Sequence, residues 1–509
     1  MKLSARIQSL TSSPIRKLSP YADAAKAKGK KIYHLNIGQP DIKTPDQFME
    51  SIRTYDEQVI AYGNSKGEGF LIEAIRKYYA EKGMDFAADD IFITNGGSEA
   101  LIFAVMALCD PGDEIMVFEP FYANYTTFAR EFGAKINAVQ TNVTDGYHLP
   151  DAAAIEAQIT PRTKAVLLTN PGNPTGVVYT QEEMDMISAI VRKYDLALIA
   201  DEVYREFVYD GAYRSFGTMP ELADNLIIID SVSKRYSACG ARIGCIISKN
   251  KELAKQIIKC CQGRLCSPIL EQVGAAALYT TPVSYLEEVN QEYKKRRDTI
   301  VAALKELPGV VASDPKGAFY IMVQLPVDDA EKFAIWTLEN FAIDNETVMF
   351  APGNGFYSDP ELGVNEARLA YVLNCDDLKK AIYILGEALK AYPGKSKSLE
   401  YKKYSRLFYF LTSGIDNLPR FQKLSQAPAG IGRAGRRQEM HSNPLQIELS
   451  GIFFKGGGSF ASITADSMYL RMILQKSGQI VRLLAGNIRI KTAFTFAVTQ
   501  YVPKSYTVI

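Results

Sequence analysis

Ile91-Phe92-Ile93-Thr94-Asn95-Gly96-Gly97-Ser98-Glu99-Ala100-Leu101 reads as a short apolar strand that runs through a glycine turn into a helix, Glu99 to Leu108. An apolar run this short, closed by glycines, fits a strand buried on both faces. The same texture recurs at Lys164 to Thr169, Leu196 to Ala200, Leu226 to Ile229 and Ile243 to Ile247, with turns or helical segments between. Apolar strands alternating with helices predict an α/β fold whose mostly parallel sheet is flanked by helices. Such a sheet binds ligands at the carboxyl ends of its strands.

The texture changes near Tyr285. A long charged helix, Glu287 to Leu307, is followed by the strand-like run Ala318-Phe319-Tyr320-Ile321-Met322-Val323, which predicts a second, smaller α+β domain. The expected division is an N-terminal arm (1–40), a large domain (41–285), a small domain (286–395) and a tail (396–509). Residues 401–509 carry 15 Lys+Arg against 4 Asp+Glu, whereas residues 1–400 carry 43 against 53. The tail's charges are scattered and not gathered on one helical face. A nucleic-acid or membrane-surface arm is therefore disfavoured against a disordered or non-native tail of no assigned role. Gly430-Ile431-Gly432-Arg433-Ala434-Gly435 matches the dinucleotide pattern but follows Gln426-Ala427-Pro428-Ala429, which is no strand, so it reads as a chance match.

Composition narrows the chemistry. At 509 residues, 47% hydrophobic and 23% charged, the chain has the make-up of a soluble globular protein of more than one domain. It lacks eighteen consecutive apolar residues and an apolar leader after Met1, so no membrane span and a cytoplasmic location are expected. The seven cysteines include the adjacent pair Cys260-Cys261 but no metal-like spacing, so they read as reduced, mostly buried thiols. Three histidines (His34, His148, His441) are too few for a His-based metal site, and a Ser-His-Asp triad is nearly excluded. No metal is expected, and a lysine held out of water is the leading candidate for proton transfer.

Four segments carry candidate chemistry. Ser231-Val232-Ser233-Lys234 follows an apolar strand, with Arg242 eight residues further on offering a fork suited to phosphate. The plain alternative for Lys234 is a solvated surface charge. Thr94 to Leu101 aims free backbone N–H groups and a helix dipole at an anion, although many such turns are only caps. Asn170-Pro171-Gly172-Asn173-Pro174-Thr175-Gly176 is a rigid loop presenting two side-chain amides; a tight turn explains its prolines and glycines but needs neither asparagine. Ile199-Ala200-Asp201-Glu202-Val203-Tyr204 ends a strand on an acid, which is either a helix cap or the partner of a ring cation.

In this order and spacing, the segments resemble the class I/II aminotransferases of pyridoxal-phosphate (PLP) fold type I, over nearly all of residues 20–392. The resemblance implies a large α/β domain with a smaller α+β domain, the arm serving the small domain and the dimer. It implies PLP bound to Lys234 as an imine, with the same lysine moving the 1,3-proton. Asp201 would pair with the pyridine nitrogen, and Asn173 and Tyr204 with the ring oxygen. Gly97, Ser98, Ser231 and Arg242 would hold the phosphate, and Tyr122 would cover the ring unless it is ordinary core. Tyr62 would reach the neighbouring subunit's phosphate, implying a homodimer with shared sites. Arg368 would clamp the substrate α-carboxylate, and Gly38 would let the backbone approach it. The implied reaction is ping-pong transfer of an amino group from an amino acid to a 2-oxo acid. Rival readings are a C–S lyase or another fold type I enzyme, and a PLP-binding regulator. Pro352-Gly353-Asn354-Gly355-Phe356-Tyr357 departs from the family's usual Pro-Gly-x-x-Phe-Gly at Tyr357. No motif supplies a cation for a distal substrate carboxylate; Lys66 and Arg264 are candidates, with a solvated surface role expected for each.

Overall fold

The computed structural model describes residues 1–10 and 13–394. The basic tail and its dinucleotide-like motif lie outside the described residues.

A seven-stranded sheet forms the centre, in the spatial order Ile91–Thr94, Gly244–Ile247, Leu226–Ser231, Ala197–Asp201, Thr163–Thr169, Glu114–Glu119, Lys135–Gln140. Six strands run one way; only Gly244–Ile247 is antiparallel to its neighbours. Leu226–Ser231 and Gly244–Ile247 are buried along their whole length and Ala197–Asp201 from Leu198 onward, which is why these inner strands read as apolar runs. Lys135–Gln140 is an edge strand with only Val139 buried, and its mixed sequence gave no strand signal.

The covering helices follow ordinary signals. Gln181–Lys193 opens with a capping box, Thr180 and Glu183 bonding each other's backbone, and buries Met184, Ile187, Ile190 and Val191. Gly96–Leu108 starts three residues before the expected Glu99, because both glycines join its first turn. The long charged helix spans Val283–Lys305 and buries one stripe, including Val289, Tyr293, Ile300 and Leu304.

Beyond it, a four-stranded antiparallel sheet is ordered Ala351–Pro352, Glu366–Ala370, Tyr320–Gln324, Val311–Ala312. Lys31–His34 pairs in parallel with Glu346–Met349, so the chain's beginning is tied to its later part. Leu18, Tyr33 and Leu35 share one apolar core with Phe319, Phe333, Phe350 and Leu385. Among the described residues no helix is long and apolar enough to cross a membrane.

Candidate active site

The carboxyl ends of the parallel strands gather the residues singled out above. Lys234 lies in the short helix Val232–Arg235 directly after the strand Leu226–Ser231, whose last residue caps that helix by accepting from Ser233 N–H at 3.3 Å. Lys234 Nζ donates to the Gly38 carbonyl at 3.0 Å and lies 3.8 Å from Cys239 Sγ. The adjacent cation is used differently: Arg235 is buried and paired with Asp230, which also accepts from Tyr79 Oη at 2.9 Å. One arginine anchors the strand end, and the lysine beside it reaches instead to the Gly38 carbonyl.

Asp201 ends the next strand and is 5% exposed. It accepts from Tyr125 Oη at 2.8 Å and, at 3.4 Å, from Val203 N–H. Burial pushes its carboxyl up to about 6 against the pull of these hydrogen bonds; Asp230 raises it further, and the charge of Lys234 lowers it. Tyr204 Oη bonds Tyr320 Oη at 2.8 Å, and burial, then Tyr320, raises its pKa well above the usual phenol value. Tyr122 accepts from Asn124 Nδ2 at 3.0 Å and packs edge-on to Tyr125, with ring centroids 5.4 Å apart. Burial moves its hydroxyl up to about 12, helped by Tyr320 and Asp201 and opposed by Arg368 and Arg16.

Arg368 is 1% exposed on the strand Glu366–Ala370. Its guanidinium lies over the rings of Tyr320 (4.4 Å) and Phe356 (5.0 Å). Nη1 donates to Asn173 Oδ1 at 3.0 Å and Nη2 to the Asn36 carbonyl at 2.6 Å, while Nε has no partner. Among the described residues no carboxylate pairs with it, and burial lowers its pKa. A buried cation without a counter-ion is costly, and that cost falls when an anion binds.

A second anion seat lies at the start of Gly96–Leu108. Asn95 gives the helix no side-chain cap and instead bonds Glu99 through its own N–H at 2.7 Å. Gly96 has φ +77°, and a Cβ there would come 2.6 Å from Arg242 Nη2, so the guanidinium rests against the helix start. Among the described residues Arg242 donates to the carbonyls of Cys239 (3.1 Å) and Asn95 (3.4 Å) and to no carboxylate. Gly97 and Ser98 lie in the same first turn, with the Gly97 Cβ position 3.6 Å from Val203 and Ile229. Uncapped N–H groups, a helix dipole and a guanidinium without a carboxylate make a site for a phosphate-sized anion.

Other expectations end elsewhere. Tyr62 is 83% exposed and joins none of these groups. Tyr357 donates to Glu366 Oε2 at 2.7 Å. The surface role expected for Arg264 is corrected, whereas Lys66 makes a surface ion pair with an exposed partner. Lys66 pairs with Asp89 at 2.7 Å with its own side chain 18% exposed. Arg264, 12% exposed, binds Glu99 at 3.1 Å and the carbonyls of Ser65 and Ile93 at 3.0 and 3.2 Å, because the Glu99 carboxylate, a turn carbonyl and a strand carbonyl converge there.

Sequence reasoning missed Tyr125, Tyr320, Phe356 and Asn36. Tyr125 stands three residues after Tyr122, and that spacing could have suggested one shared face. Tyr320 and Phe356 look like ordinary core, and Asn36 acts through its backbone carbonyl, which no side-chain pattern reveals.

The family model described as "Aminotransferase class I and II" matches residues 30–382. The aspartate aminotransferase of Thermotoga maritima is 32% identical over 382 residues, covering 75% of this chain and 97% of the relative. The alanine aminotransferase from Pyrococcus furiosus matches in structure with a TM-score of 0.71 and 32% identity, over 77% of this chain and 100% of its own. An aspartate aminotransferase of Thermus thermophilus solved with maleate gives 0.69 and 26%, over 76% and 100%.

Proposed function

Because the chain belongs to the class I and II aminotransferase family, we propose that it transfers an amino group from an amino acid to a 2-oxo acid in two half-reactions, with pyridoxal phosphate as cofactor and Lys234 as its lysine. One observation carries this reading. Lys234 and Arg368 reach two carbonyls of one short segment, Gly38 and Asn36, so an amine and a carboxylate seat address the same small volume.

The donor set suits the cofactor. Asp201, buried with its pKa raised, is stabilised as an anion by a ring N–H cation. Asn173 and Tyr204 would serve the ring oxygen, and Tyr122 would cover the ring. Gly97, Ser98, Ser231 and Arg242 would hold the phosphate. When bound, pyridoxal phosphate supplies an electron sink conjugated to the substrate nitrogen.

The rest follows from this chain's own groups. Arg368 binds the α-carboxylate through the fork that holds Asn173 and Asn36, and its free Nε gains a partner. That clamp sets the α-C–H direction, and Lys234 Nζ, oriented by the Gly38 carbonyl, removes the proton and returns it. The tyrosines around Arg368 keep water from the clamp. A homodimer completes the reading: Tyr62 with its exposed neighbours Val59 (71%) and Ile60 (63%) suits contact with a second copy's phosphate site.

The test is Lys234→Ala, expected to abolish both turnover and the visible absorbance of the holoenzyme. Retention of both overturns the assignment. In the wild type, turnover must depend on an added 2-oxo acid and release no stoichiometric ammonia.

A further inference from the structure

The turn that follows the strand Ala197–Asp201 divides its side chains between two places. Asp201 and Tyr204 belong to the site described above, whereas Glu202 and Arg205 are buried among other partners. Glu202 accepts from Ser215 Oγ at 2.8 Å and from Phe216 N–H at 3.3 Å, and it pairs with Arg205 Nη2. The Arg205 guanidinium lies over the rings of Tyr79 (4.4 Å) and Tyr213 (5.7 Å). Among the described residues its Nε and Nη1 have no partner, although Arg205 is 2% exposed. The neighbouring acids are already engaged: Glu206 by Lys82 (2.8 Å) and Tyr78, Asp230 by Arg235 and Tyr79. Buried N–H groups of a cation without an acceptor are costly.

Arg205 is part of the wall of a cavity of about 410 Å³, together with Lys82, Glu206, Tyr213, Arg214 and Asn290. Small-molecule sites span roughly 300–1,000 Å³. Asn290, on the long helix Val283–Lys305, donates to the Glu206 and Val208 carbonyls at 2.9 Å and so ties the wall together. None of these residues belongs to the site around Lys234. The charge of the wall is one-sided. Lys82 is matched by Glu206, and Arg205 by Glu202. Arg214 is exposed and makes no ion pair among the described residues; its side chain donates to Gln181 Oε1 at 3.0 Å. The wall therefore combines one uncompensated cation with two unpartnered guanidinium N–H groups.

We propose that this cavity is a second binding site, for a small anion bearing carboxylate or phosphate oxygens, held by Arg205 and Arg214. A planar guanidinium matches either oxyanion, and the rings packed against Arg205 keep its fork in place. Binding supplies acceptors for Nε and Nη1 and a counter-charge for Arg214. The inference is independent of the transaminase reading.

The test is calorimetric titration of the holoenzyme at constant ionic strength, with inorganic phosphate and succinate as separate probes. In the holoenzyme the phosphate seat at Arg242 is occupied, and any succinate at Arg368 is common to all variants, so the variants isolate this cavity. Saturable binding is expected for at least one probe, and the probe whose binding responds to the variants identifies the source of the anion. Arg205→Lys keeps a cation beside Glu202 but removes the fork, and should weaken that binding about tenfold or more. Arg214→Gln, at the exposed end, should weaken it about threefold. If Arg205→Lys failed to fold, Arg214→Gln and the charge reversal Arg214→Glu would decide, the second with the larger loss. Absence of saturable binding for both probes up to about 10 mM, or binding unchanged in the variants, would overturn the proposal.

Discussion

At Asp201 burial outweighs two hydrogen bonds, and the balance sets a pH dependence. Its folded value of about 6 lies above the ordinary 3.8, so the cofactor-free folded protein holds this proton where the unfolded chain has lost it. The stability from this group is fully present below the unfolded pKa and is lost as pH rises through the folded one. A shift of that size corresponds to on the order of 3 kcal/mol at pH 7. Cofactor-free wild type is therefore expected to lose stability between pH 4 and 7 relative to Asp201→Asn, in denaturant titrations at each pH. Parallel curves for the two proteins would contradict the buried-carboxylate account.

Arg368 gives the second expectation at this scale. Arg368→Lys removes the fork that spans Asn173 and Asn36, and kcat/KM should fall about 100-fold or more. A drop under tenfold would argue against the clamp. Asp201, Lys234 and Arg368 were legible through their motifs. Arg264 was not, because a lone arginine at a helix end looks the same whether it is solvated or, as here, tied to Glu99.

At the scale of elements, the meeting of the helix Gly96–Leu108 with the strand Gly244–Ile247 controls the anion seat. A Cβ on Gly244 would lie 2.6 Å from Gly96 C, 2.7 Å from Gly97 N and 2.8 Å from the Asp230 carbonyl oxygen. All three are backbone atoms that cannot swing away, so strand and helix must separate. Gly244→Ala should cost about 1–3 kcal/mol in equilibrium unfolding and weaken cofactor binding. Unchanged stability would mean that this packing is looser than described. The central strands were readable because burial on both faces leaves them mostly apolar, with polar residues chiefly at their ends. Glu114–Glu119 and Lys135–Gln140 were not: the first carries acids that bind Arg162 and Ser358, and the second is an edge strand. The helix start at Gly96 was hidden because glycine signals a turn as readily as an uncapped first turn.

At the scale of the whole molecule, the exposed run around Val59, Ile60 and Tyr62 argues for a second copy. Light scattering of the holoenzyme should give twice the chain mass, and Tyr62→Phe should weaken cofactor affinity by several-fold through one lost phosphate hydrogen bond. A monomer with full affinity would refute shared sites. The packing of Leu18, Tyr33 and Leu35 with Phe319 and Phe350 depends on contacts across some three hundred residues that local patterns do not encode. The most direct measurement is borohydride reduction of the holoenzyme followed by peptide mass mapping. The account predicts a pyridoxyl group on Lys234 alone; label on another lysine, or none on a protein that shows the visible absorbance, would contradict it.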